Sequence, residues 1–495
     1  MLESMASALF MMIQPVSLLA LLLGVLFGLI SGAMPGGGVP GLIIILSFAY
    51  AMDPSIVIPM AIGVTAVTAS SDTIPAVLLG VPGSATGQAT ILDGYQLAKQ
   101  GRAGEALGAA YFSSLIGGLI GTLALFATIP FARQLIKVFA APEFMLMAIM
   151  GVAIVAVLSS GAMLKGLIAG LFGLSIAVIG FDPISGYARS TFGIGYLWDG
   201  ISIIPVMLGL FAVPELIDMV VRNTSIARVN VKDMSKGINK GMLPGIRSVL
   251  KHKLLVIRSS LVGAFVGFMP GMGGSVANWL AYTQARMSEK GGKESFGKGD
   301  IRGVIAPEAS NNSVLGGDLI PTLAFSIPGS VSMSLMLGLL ILMGFQPGPQ
   351  MLTTHLDITM LIIYSLALAN VLATVILLFA TPWIAKASFV RPNVLVPITI
   401  TILFLVAFST SNSLMDLVMM TIFVIIGWIM KVYQWPRPPL IIALVLGGPL
   451  EKYMYLSFST FGWSMFSRPS VIIIILVCIL VVWFSKKKNK TSDAA

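Results

Sequence analysis

The sequence predicts an all-α polytopic membrane protein. Of its 495 residues, 57% are hydrophobic and 10% are charged, and the mean hydropathy is +0.96. A soluble domain carries about a quarter charged residues. About a dozen apolar stretches approach the length of about 20 residues that a helix needs to cross a hydrocarbon core of about 30 Å. A transmembrane barrel would instead show short segments of alternating hydrophobicity, so we expect helices in the membrane.

The charged residues predict how the chain crosses the membrane. No Lys or Arg precedes Lys99, whereas residues 222–258 hold nine of them against the single acid Asp233. Basic residues mark cytoplasmic loops, so the N-terminus is expected outside and this long loop inside. Lys486 and its two basic neighbours likewise predict a cytoplasmic C-terminus. Topology therefore explains the net charge of +10 better than a nucleic-acid partner does.

The N-terminus has no basic n-region, so we expect the first helix to be retained rather than cleaved as a signal peptide. We divide the chain into a first membrane repeat (1–221), a basic linker (222–258), a second membrane repeat (259–485) and a cytoplasmic tail (486–495). Apart from the segments around the motifs described below, the expected spans lie near residues 16–34, 41–52, 105–129, 143–158, 163–181, 201–221, 358–380, 394–408, 414–430, 440–456 and 471–484.

The two repeats are inferred from a duplicated motif. When Asp72 is aligned with Asp318, residues 72–84, the first element, and residues 318–330, the second element, share six identical positions without a gap. Each contains Asp, then Ile-Pro, then Pro-Gly-Ser. A second pair, residues 28–38 and 263–273, aligns in the same way and shares Met-Pro-Gly. The loops that follow equivalent motifs carry opposite biases in basic residues, so we expect the repeats to be inverted in the membrane.

Paired Pro-Gly motifs point to a binding site. Glycine and proline break helices, and non-helical backbone at membrane depth generally lines a cavity. Helix N-termini exposed there would suit a carboxylate, although a single such motif could also be a kink or a close-packing site. Our candidate substrate-binding residues are Pro35, Gly36, Gly37, Gly38, Pro82, Gly83, Ser84, Pro270, Gly271, Gly273, Gly274, Asn311, Asn312, Pro328, Gly329 and Ser330.

Asp72, Asp318 and Glu308 are the candidate ion-coupling residues. An ionisable group inside the membrane is a functional candidate because burying it is costly. A carboxylate would repel an anionic substrate, so a bound Na⁺ or a carried proton is the more credible role. The alternative for Asp72 and Asp318 is that each caps the N-terminus of a helix.

Asn311 and Asn312 belong to a dense polar segment, residues 296–313, that runs into the second element. Neutral amides can bind a carboxylate or hydroxyl without a large desolvation cost. The alternative is that both amides form hydrogen bonds between helices.

The sequence shows no set of catalytic residues typical of an enzyme. The lone Cys478 and the distant His252 and His355 provide neither a metal site nor a nucleophile with a base, and no GxxxxGK[ST] motif indicates nucleotide hydrolysis. We therefore expect no enzymatic activity and no cofactor, with energy supplied by an ion gradient or another subunit.

Several segments resemble the large membrane subunit of the tripartite tricarboxylate transporters, the TctA family. The similar segments are Val81-Pro-Gly-Ser84, Leu92-Asp-Gly-Tyr-Gln-Leu-Ala-Lys99, Gly303-Val-Ile-Ala-Pro-Glu-Ala-Ser-Asn-Asn312, Ile327-Pro-Gly-Ser330 and Gln346-Pro-Gly-Pro349. The resemblance implies a bacterial inner-membrane carboxylate importer driven by Na⁺ or H⁺. Its implied partners are a periplasmic solute-binding protein (TctC-like) and a small membrane subunit (TctB-like). It also suggests an elevator-like movement by analogy.

One segment departs from the family pattern. Many members carry a Tyr-Gly-Gly-rich stretch ending in Gly-Gly-Ser before the first Ile-Pro, whereas this chain has Gly63-Val-Thr-Ala-Val-Thr-Ala-Ser-Ser-Asp72. The departure favours a carboxylate other than citrate. The alternative function is a stand-alone organic-anion exchanger or a channel, which would need no binding protein.

Overall fold

The computed structural model describes residues 1–34, 52–81, 83–84, 86–158, 163–182, 186–214, 216–217, 241–269, 273–385, 392–409 and 411–476. It is 82% helical. Within these ranges the β-structure is one short hairpin, in which β1 (Gly180–Phe181) pairs antiparallel with β2 (Ala188–Arg189). The expectation of an all-α architecture agrees with this content.

The first half contains nine α-helices within the described residues. They are α1 (Leu2–Ile13), α2 (Pro15–Ala33), α3 (Pro54–Ser71), α4 (Thr73–Leu79), α5 (Gln88–Lys99), α6 (Ala103–Val138), α7 (Ala141–Leu158), α8 (Met163–Ala177) and α9 (Ile203–Met207), the last continued by a π-helical turn over Leu208–Ala212.

The second half contains eleven α-helices in the part of the chain that the structure describes. They are α10 (Leu243–Lys251), α11 (Lys253–Phe268), α12 (Gly273–Ser288), α13 (Gly292–Ser295), α14 (Arg302–Phe325), α15 (Val331–Leu342), α16 (Pro349–Leu352), α17 (Leu356–Ile384), α18 (Pro392–Ser409), α19 (Leu414–Val432) and α20 (Pro438–Phe461). Helices α10 and the start of α11 lie in the segment predicted as the basic linker, whose residues 222–240 are outside the described residues.

Six helical segments in the described ranges are long and apolar enough to cross a membrane. They are Pro15–Ala33, Pro54–Leu79, Ala103–Gln134, Leu356–Ile384, Leu414–Val432 and Pro438–Ser467. Shorter apolar helices accompany them, and the dozen spans expected from the sequence stay a prediction. Helix α1 was not among the predicted elements; its exposed apolar side chains include Leu9 and Phe10.

Helices α2 and α11 end in the same way. The first residue after each helix, Met34 and Met269, is extended and donates its N–H to the carbonyl three residues earlier, Ser31 and Val266. Both methionines precede a proline, which disfavours helical backbone in the residue before it. The two copies of the Met-Pro-Gly motif thus end their helices at matching positions.

The helices that carry the duplicated Asp also end alike. Helix α4 ends before Gly80 and α14 ends before Ser326, and both residues adopt the left-handed conformation with φ of 67° and 58°. In each case the N–H of the next residue donates to a proline carbonyl, that of Pro75 or Pro321. Ser326 tolerates this conformation less readily than glycine would, yet it occupies the position equivalent to Gly80.

Equivalent glycines pack two pairs of helices closely. A Cβ on Gly28 of α2 would lie 2.7 Å from the carbonyl oxygen of Val64 on α3. A Cβ on Gly263 of α11 would lie 2.4 Å from that of Ser310 on α14. The two glycines are equivalent in the alignment of the Met-Pro-Gly motifs, and their carbonyl partners are equivalent in the alignment of the first and second elements. Small residues permit such close approach between helices.

We expect Gly263→Ala to destabilise the protein by about 1–3 kcal/mol, because the added methyl group overlaps backbone that has no space to move. Gly448→Ala is the matched control: this helical glycine has no atom within 4 Å of the Cβ position. Alanine there is expected to be neutral or stabilising by up to about 1 kcal/mol. Thermal unfolding of both variants in detergent measures the difference, and equal midpoints would contradict the packing argument.

Segments rich in basic residues meet at one end of the molecule. Gln100 Nε2 donates to the carbonyl of Lys298 at 3.0 Å, and a Cβ on Gly245 of α10 would lie 2.0 Å from the carbonyl of Glu105. Residues 84–104, 284–302 and 241–258 therefore adjoin one another. Basic residues mark cytoplasmic loops, so the proximity of these segments is compatible with the cytoplasmic location predicted for the basic linker.

Candidate functional site

Asp72 lies where the third helix is interrupted. It separates α3 from α4, is fully buried, and accepts hydrogen bonds at Oδ2 from the Ser84 hydroxyl and from Thr86 Oγ1, the latter at 2.8 Å. Its Oδ1 is buried without a hydrogen-bond partner among the described residues. Its side chain makes no capping hydrogen bond. Asp72 thus occupies the N-cap position of α4, as the alternative expected, but its side chain does not cap the helix.

The chain around Asp72 has room only for glycine at one position. A Cβ on Gly83 would lie 2.8 Å from Cα and Cβ of Asp72 and 2.7 Å from the carbonyl oxygen of Gly32. Real Cβ atoms do not approach backbone so closely, so the Pro-Gly-Ser segment can fold over Asp72 only with glycine here. The first element thus brings its two ends together.

Asp318 has the same neighbours in the second element. A Cβ on Gly329 would lie 2.0 Å from Asp318 Oδ1 and 3.4 Å from the carbonyl oxygen of Gly267. Gly267 is the counterpart of Gly32. The Ser330 side chain and the Gly329 N–H also lie next to this carboxyl group, as Ser84 lies next to Asp72. Asp318 is buried inside α14, so helix capping is wrong for it too.

Glu308 lies beside the first element, although it precedes the second element in sequence. It is fully buried; Thr90 Oγ1 donates to its Oε1 at 2.6 Å and Ser114 Oγ to its Oε2 at 3.1 Å. Its carboxyl group is near enough to Asp72 for the two charges to interact. The three candidate ion-coupling residues are thus buried, and none of them belongs to an ion pair within the described residues.

Asn311 and Asn312 connect helices. Asn311 Nδ2 donates to the carbonyl of Ala69 at 3.1 Å, and Asn312 Nδ2 donates to Ser70 Oγ at 2.7 Å and to Asn370 Oδ1 at 2.8 Å. These bonds hold α14 against α3 and α17, which is the alternative role stated for the amides. Asn312 Oδ1 is nevertheless buried without a partner among the described residues.

The start of α12 faces the same region. A Cβ on Gly274 would lie 2.8 Å from Thr86 Cγ2 and 3.9 Å from Asn311 Oδ1, and Asn278 Nδ2 donates to the Thr86 carbonyl at 2.9 Å. Gly273 has φ of 66° at the helix start, where a side chain would be strained. Gly274 and Asn278 therefore contact Thr86, two residues after the first element, whereas Gly273 has no atom within 4 Å of its Cβ position. The sequence did not single out Asn278 or Thr86.

Some predicted residues are outside the described part of the chain. These are Pro35, Gly36, Gly37, Gly38, Pro82, Pro270 and Gly271. Pro328 follows Ile327 in the non-helical segment between α14 and α15, before Ser330, whose hydroxyl accepts from Met333 N at 3.2 Å.

Asp93 joins two of the sequence motifs and was not predicted as a key residue. It is fully buried on α5, and its Oδ1 accepts from the backbone N–H groups of Gly297, Gly299 and Asp300 at 2.8–2.9 Å. Its Oδ2 accepts from Tyr282 Oη at 2.9 Å. The Leu-Asp-Gly-Tyr segment therefore clamps the loop before α14, which fixes the helix that carries Glu308 and Asn311.

Asp300 fixes the same loop through Arg302. The side chains are joined by Nη2 to Oδ2 at 2.6 Å and are 15% and 10% exposed for Arg302 and Asp300, respectively. Burial raises the pKa of Asp300, but hydrogen bonds from Arg302 and Ser295 outweigh it, so the pKa lies below its usual value of 3.8. A lowered folded-state pKa stabilises the fold above the usual value, and the stabilisation is lost as the pH falls through the folded pKa.

We expect Asp300→Asn to reduce amide protection at residues 297–300 already at pH 7. The wild-type loop should keep its protection at pH 7 and lose it progressively below about pH 4. Hydrogen exchange corrected for intrinsic rates measures both effects. If the variant and the wild-type chain exchanged equally at pH 7, the ion pair would not be holding the loop.

A cavity of about 800 Å³ adjoins the second element. Its lining includes Ser326, Trp198, Lys452 and Arg189, whose guanidinium bonds Glu451 at 2.5 and 2.9 Å. This volume is in the range of small-molecule sites. Its walls come from distant parts of the chain, so sequence spacing gave no signal of it.

No group of three or more His, Cys, Asp or Glu residues that could hold a metal ion occurs among the residues described. The site is instead a set of buried carboxyl, hydroxyl and amide groups beside broken helices. Such a set can bind a cation with oxygen atoms and an anion with N–H groups.

Comparison with known proteins agrees with the resemblance seen in the sequence. A family model described as "Tripartite tricarboxylate transporter TctA family" matches residues 18–442. The chain is 28% identical over 445 residues to an uncharacterized 52.8 kDa protein in the TAR-I ttuC' 3' region of Agrobacterium vitis, covering 89% of this chain and 87% of that protein. It is 29% identical over 192 residues to an uncharacterized protein in the TAR-II ttuC' 3' region of the same organism, covering 39% of this chain and 79% of that protein. No solved structure matches significantly.

Proposed function

Because this chain belongs to the tripartite tricarboxylate transporter TctA family, we propose that it is the permease subunit of a binding-protein-dependent importer of carboxylates. An inward gradient of Na⁺ or H⁺ drives the import. The permease is a multi-pass protein of the bacterial inner membrane, with a periplasmic N-terminus and a cytoplasmic C-terminus. It is a transporter and not an enzyme, in keeping with the family to which it belongs.

The observation that carries the proposal is the matching geometry of the two elements. In both elements, a helix ends before a residue in the left-handed conformation, and the glycine of the following Pro-Gly-Ser packs against a buried Asp. Matching glycine contacts between α2 and α3 and between α11 and α14 support two structural repeats. Broken helices in paired repeats are typical of the substrate sites of secondary transporters. We propose that these repeats are inverted in the membrane.

The substrate carboxylate binds at the Pro-Gly segments, because proline and glycine interrupt helices and helix N-termini next to them can offer N–H groups to an anion. The start of α12 supports this, because the N-terminus of a helix of this length favours an anion. Gly274 of that turn lies against Thr86 and near Asn311. Hydroxyl groups of Ser84 and Ser330 and the amide groups of Asn311 and Asn312 complete the proposed recognition.

Coupling uses the buried acids Asp72, Asp318 and Glu308. A carboxylate at this depth is costly without a positive charge, and basic residues do not pair with these three among the described residues. A cation from the gradient supplies that charge. Binding of the cation offsets the repulsion between the protein's acids and the anionic substrate, so the two enter together.

The proposed partners are a periplasmic solute-binding protein, which delivers the substrate, and a small membrane subunit. Uptake of a panel of mono-, di- and tricarboxylates into proteoliposomes tests this, with this chain reconstituted alone, with the small subunit, and with both partners. We expect uptake only when the binding protein is present. Uptake by this chain alone would instead favour the stand-alone exchanger, and downhill flux without partners would favour a channel.

A further inference from the structure

The two elements differ in what surrounds the duplicated Asp. Asp72 and Glu308 are both fully buried and their charges interact. The position equivalent to Glu308 in the first repeat is Ile62, also buried. Next to Asp318 no second carboxyl group contacts the side chain among the described residues. The repeats therefore hold one site with two acids and one with a single acid.

Hydroxyl groups connect the two acids of the first site. Thr73, the residue after Asp72, lies beside the Glu308 carboxyl group, and its buried Oγ1 makes no well-formed hydrogen bond within the described residues. Thr86 bonds Asp72, and Thr90, one helical turn later, bonds Glu308. The counterpart of Thr73 in the second element is the apolar Leu319. The hydroxyl bridge is thus a property of the first site.

Two buried oxygen atoms in this cluster make no well-formed hydrogen bond in the part of the chain that the structure describes. Asp72 Oδ1 and Thr73 Oγ1 are buried and unpartnered among the described residues, and a Cβ on Gly87 would lie 3.4 Å from Asp72 Oδ2. A buried acceptor without a partner is costly, and two adjacent carboxylates disfavour each other's charge. A cation between them removes both costs. Oxygen atoms of carboxyl and hydroxyl groups are the ligands that hard cations prefer.

We infer that Asp72 and Glu308 form a single site for a monovalent alkali cation, completed by the hydroxyl groups of Thr73, Ser84 and Thr86, and that Asp318 is not part of it. This inference rests on the proposed ion coupling and names where the cation binds. The ligands come from Asp72 and the first residue of α4, from the segment after α4 and from α14. Binding would therefore hold the first element against the helix that carries Glu308.

The test measures cation binding in the purified protein, without transport or partners. Hydrogen exchange of residues 83–99 is followed as NaCl replaces choline chloride at constant ionic strength and pH. Na⁺ should slow exchange there in the wild-type chain and in Asp318→Asn. Asp72→Asn and Glu308→Gln should raise the half-saturating Na⁺ concentration about tenfold or more. Slowed exchange with CaCl₂ but not with NaCl would overturn the monovalent assignment.

A milder variant protects the test against misfolding. Thr90→Val removes the hydroxyl that bonds Glu308 and should weaken the Na⁺ response, whereas Thr122→Val, whose hydroxyl bonds only within its own helix at Gly118, should not. No Na⁺ response in the wild-type chain, or a response lost in Asp318→Asn and kept in Glu308→Gln, would overturn the inference. Because binding is measured directly, failed transport with intact binding would instead count against the proposed function.

Discussion

Asp72→Asn is expected to abolish concentrative uptake while leaving the protein folded. The side chain is fully buried and receives hydrogen bonds from Ser84 and Thr86. Asparagine keeps the shape and one acceptor oxygen, so the fold should tolerate it. It cannot carry the negative charge that attracts a coupling cation, so the driving gradient no longer acts on the substrate. Asp318→Asn is expected to produce the same loss of accumulation while keeping Na⁺ binding at Asp72 and Glu308, because the separate buried carboxylate of Asp318 is also proposed to take part in coupling.

We expect the initial rate of uptake against a gradient to fall at least about 100-fold in Asp72→Asn. A 100-fold change in rate corresponds to about 2.7 kcal/mol of activation free energy. Asp53→Asn is the matched control, because Asp53 is exposed and caps α3 through Ser55 N at 2.8 Å. Asparagine caps a helix about as well as aspartate. Accumulation by Asp72→Asn at the level of Asp53→Asn would exclude Asp72 from coupling.

Asp93→Ala is expected to destabilise the protein by about 3 kcal/mol or more, because it removes four hydrogen bonds to a fully buried carboxyl group. Asp93 accepts from three backbone N–H groups and from Tyr282. A Cβ on Gly303 would lie 2.0 Å from Asp93 Oδ2, so the first turn of α14 is packed directly on this carboxyl group. Losing it should loosen the helix that carries Glu308, Asn311 and Asn312.

A graded series separates this clamp from general damage. Tyr282→Phe removes one of the four hydrogen bonds and should cost about 1 kcal/mol, with Asp93→Asn between it and Asp93→Ala. Thermal midpoints in detergent give the order, and tryptic cleavage at the exposed Lys298 reports loop opening. Equal midpoints across the series would show that the clamp does not stabilise the loop.

The sequence predicted the features that recur around the duplicated motifs. The two motif pairs found by comparing residues reappear as matching helix ends at Gly80 and Ser326 and as matching glycine contacts at Gly28 and Gly263. These depend on local backbone chemistry, which proline and glycine specify directly. The membrane location was likewise predicted from composition, because the hydrophobicity of each residue contributes to it without any tertiary contact.

Contacts between distant segments were beyond sequence reasoning. Glu308 precedes the second element in sequence, but it lies beside Asp72 of the first element. No repeated partner marked this contact, because the equivalent residue is Ile62. The Asp93 clamp was visible only as part of a motif, and its role depends on a loop in the other half of the chain. For Asn311, the sequence left open whether the amide binds substrate or joins two helices. In the structure it donates a hydrogen bond to the carbonyl of Ala69 on α3.

The most direct test of coupled transport is the steady-state accumulation ratio of a carboxylate in proteoliposomes that contain this chain, its small subunit and its binding protein. With an inward Na⁺ or H⁺ gradient, the internal concentration should rise above the external one and should fall back when an ionophore dissipates that gradient. The Asp72→Asn protein should equilibrate without accumulating. A wild-type ratio that never exceeds one under either gradient would contradict ion-driven import by this site.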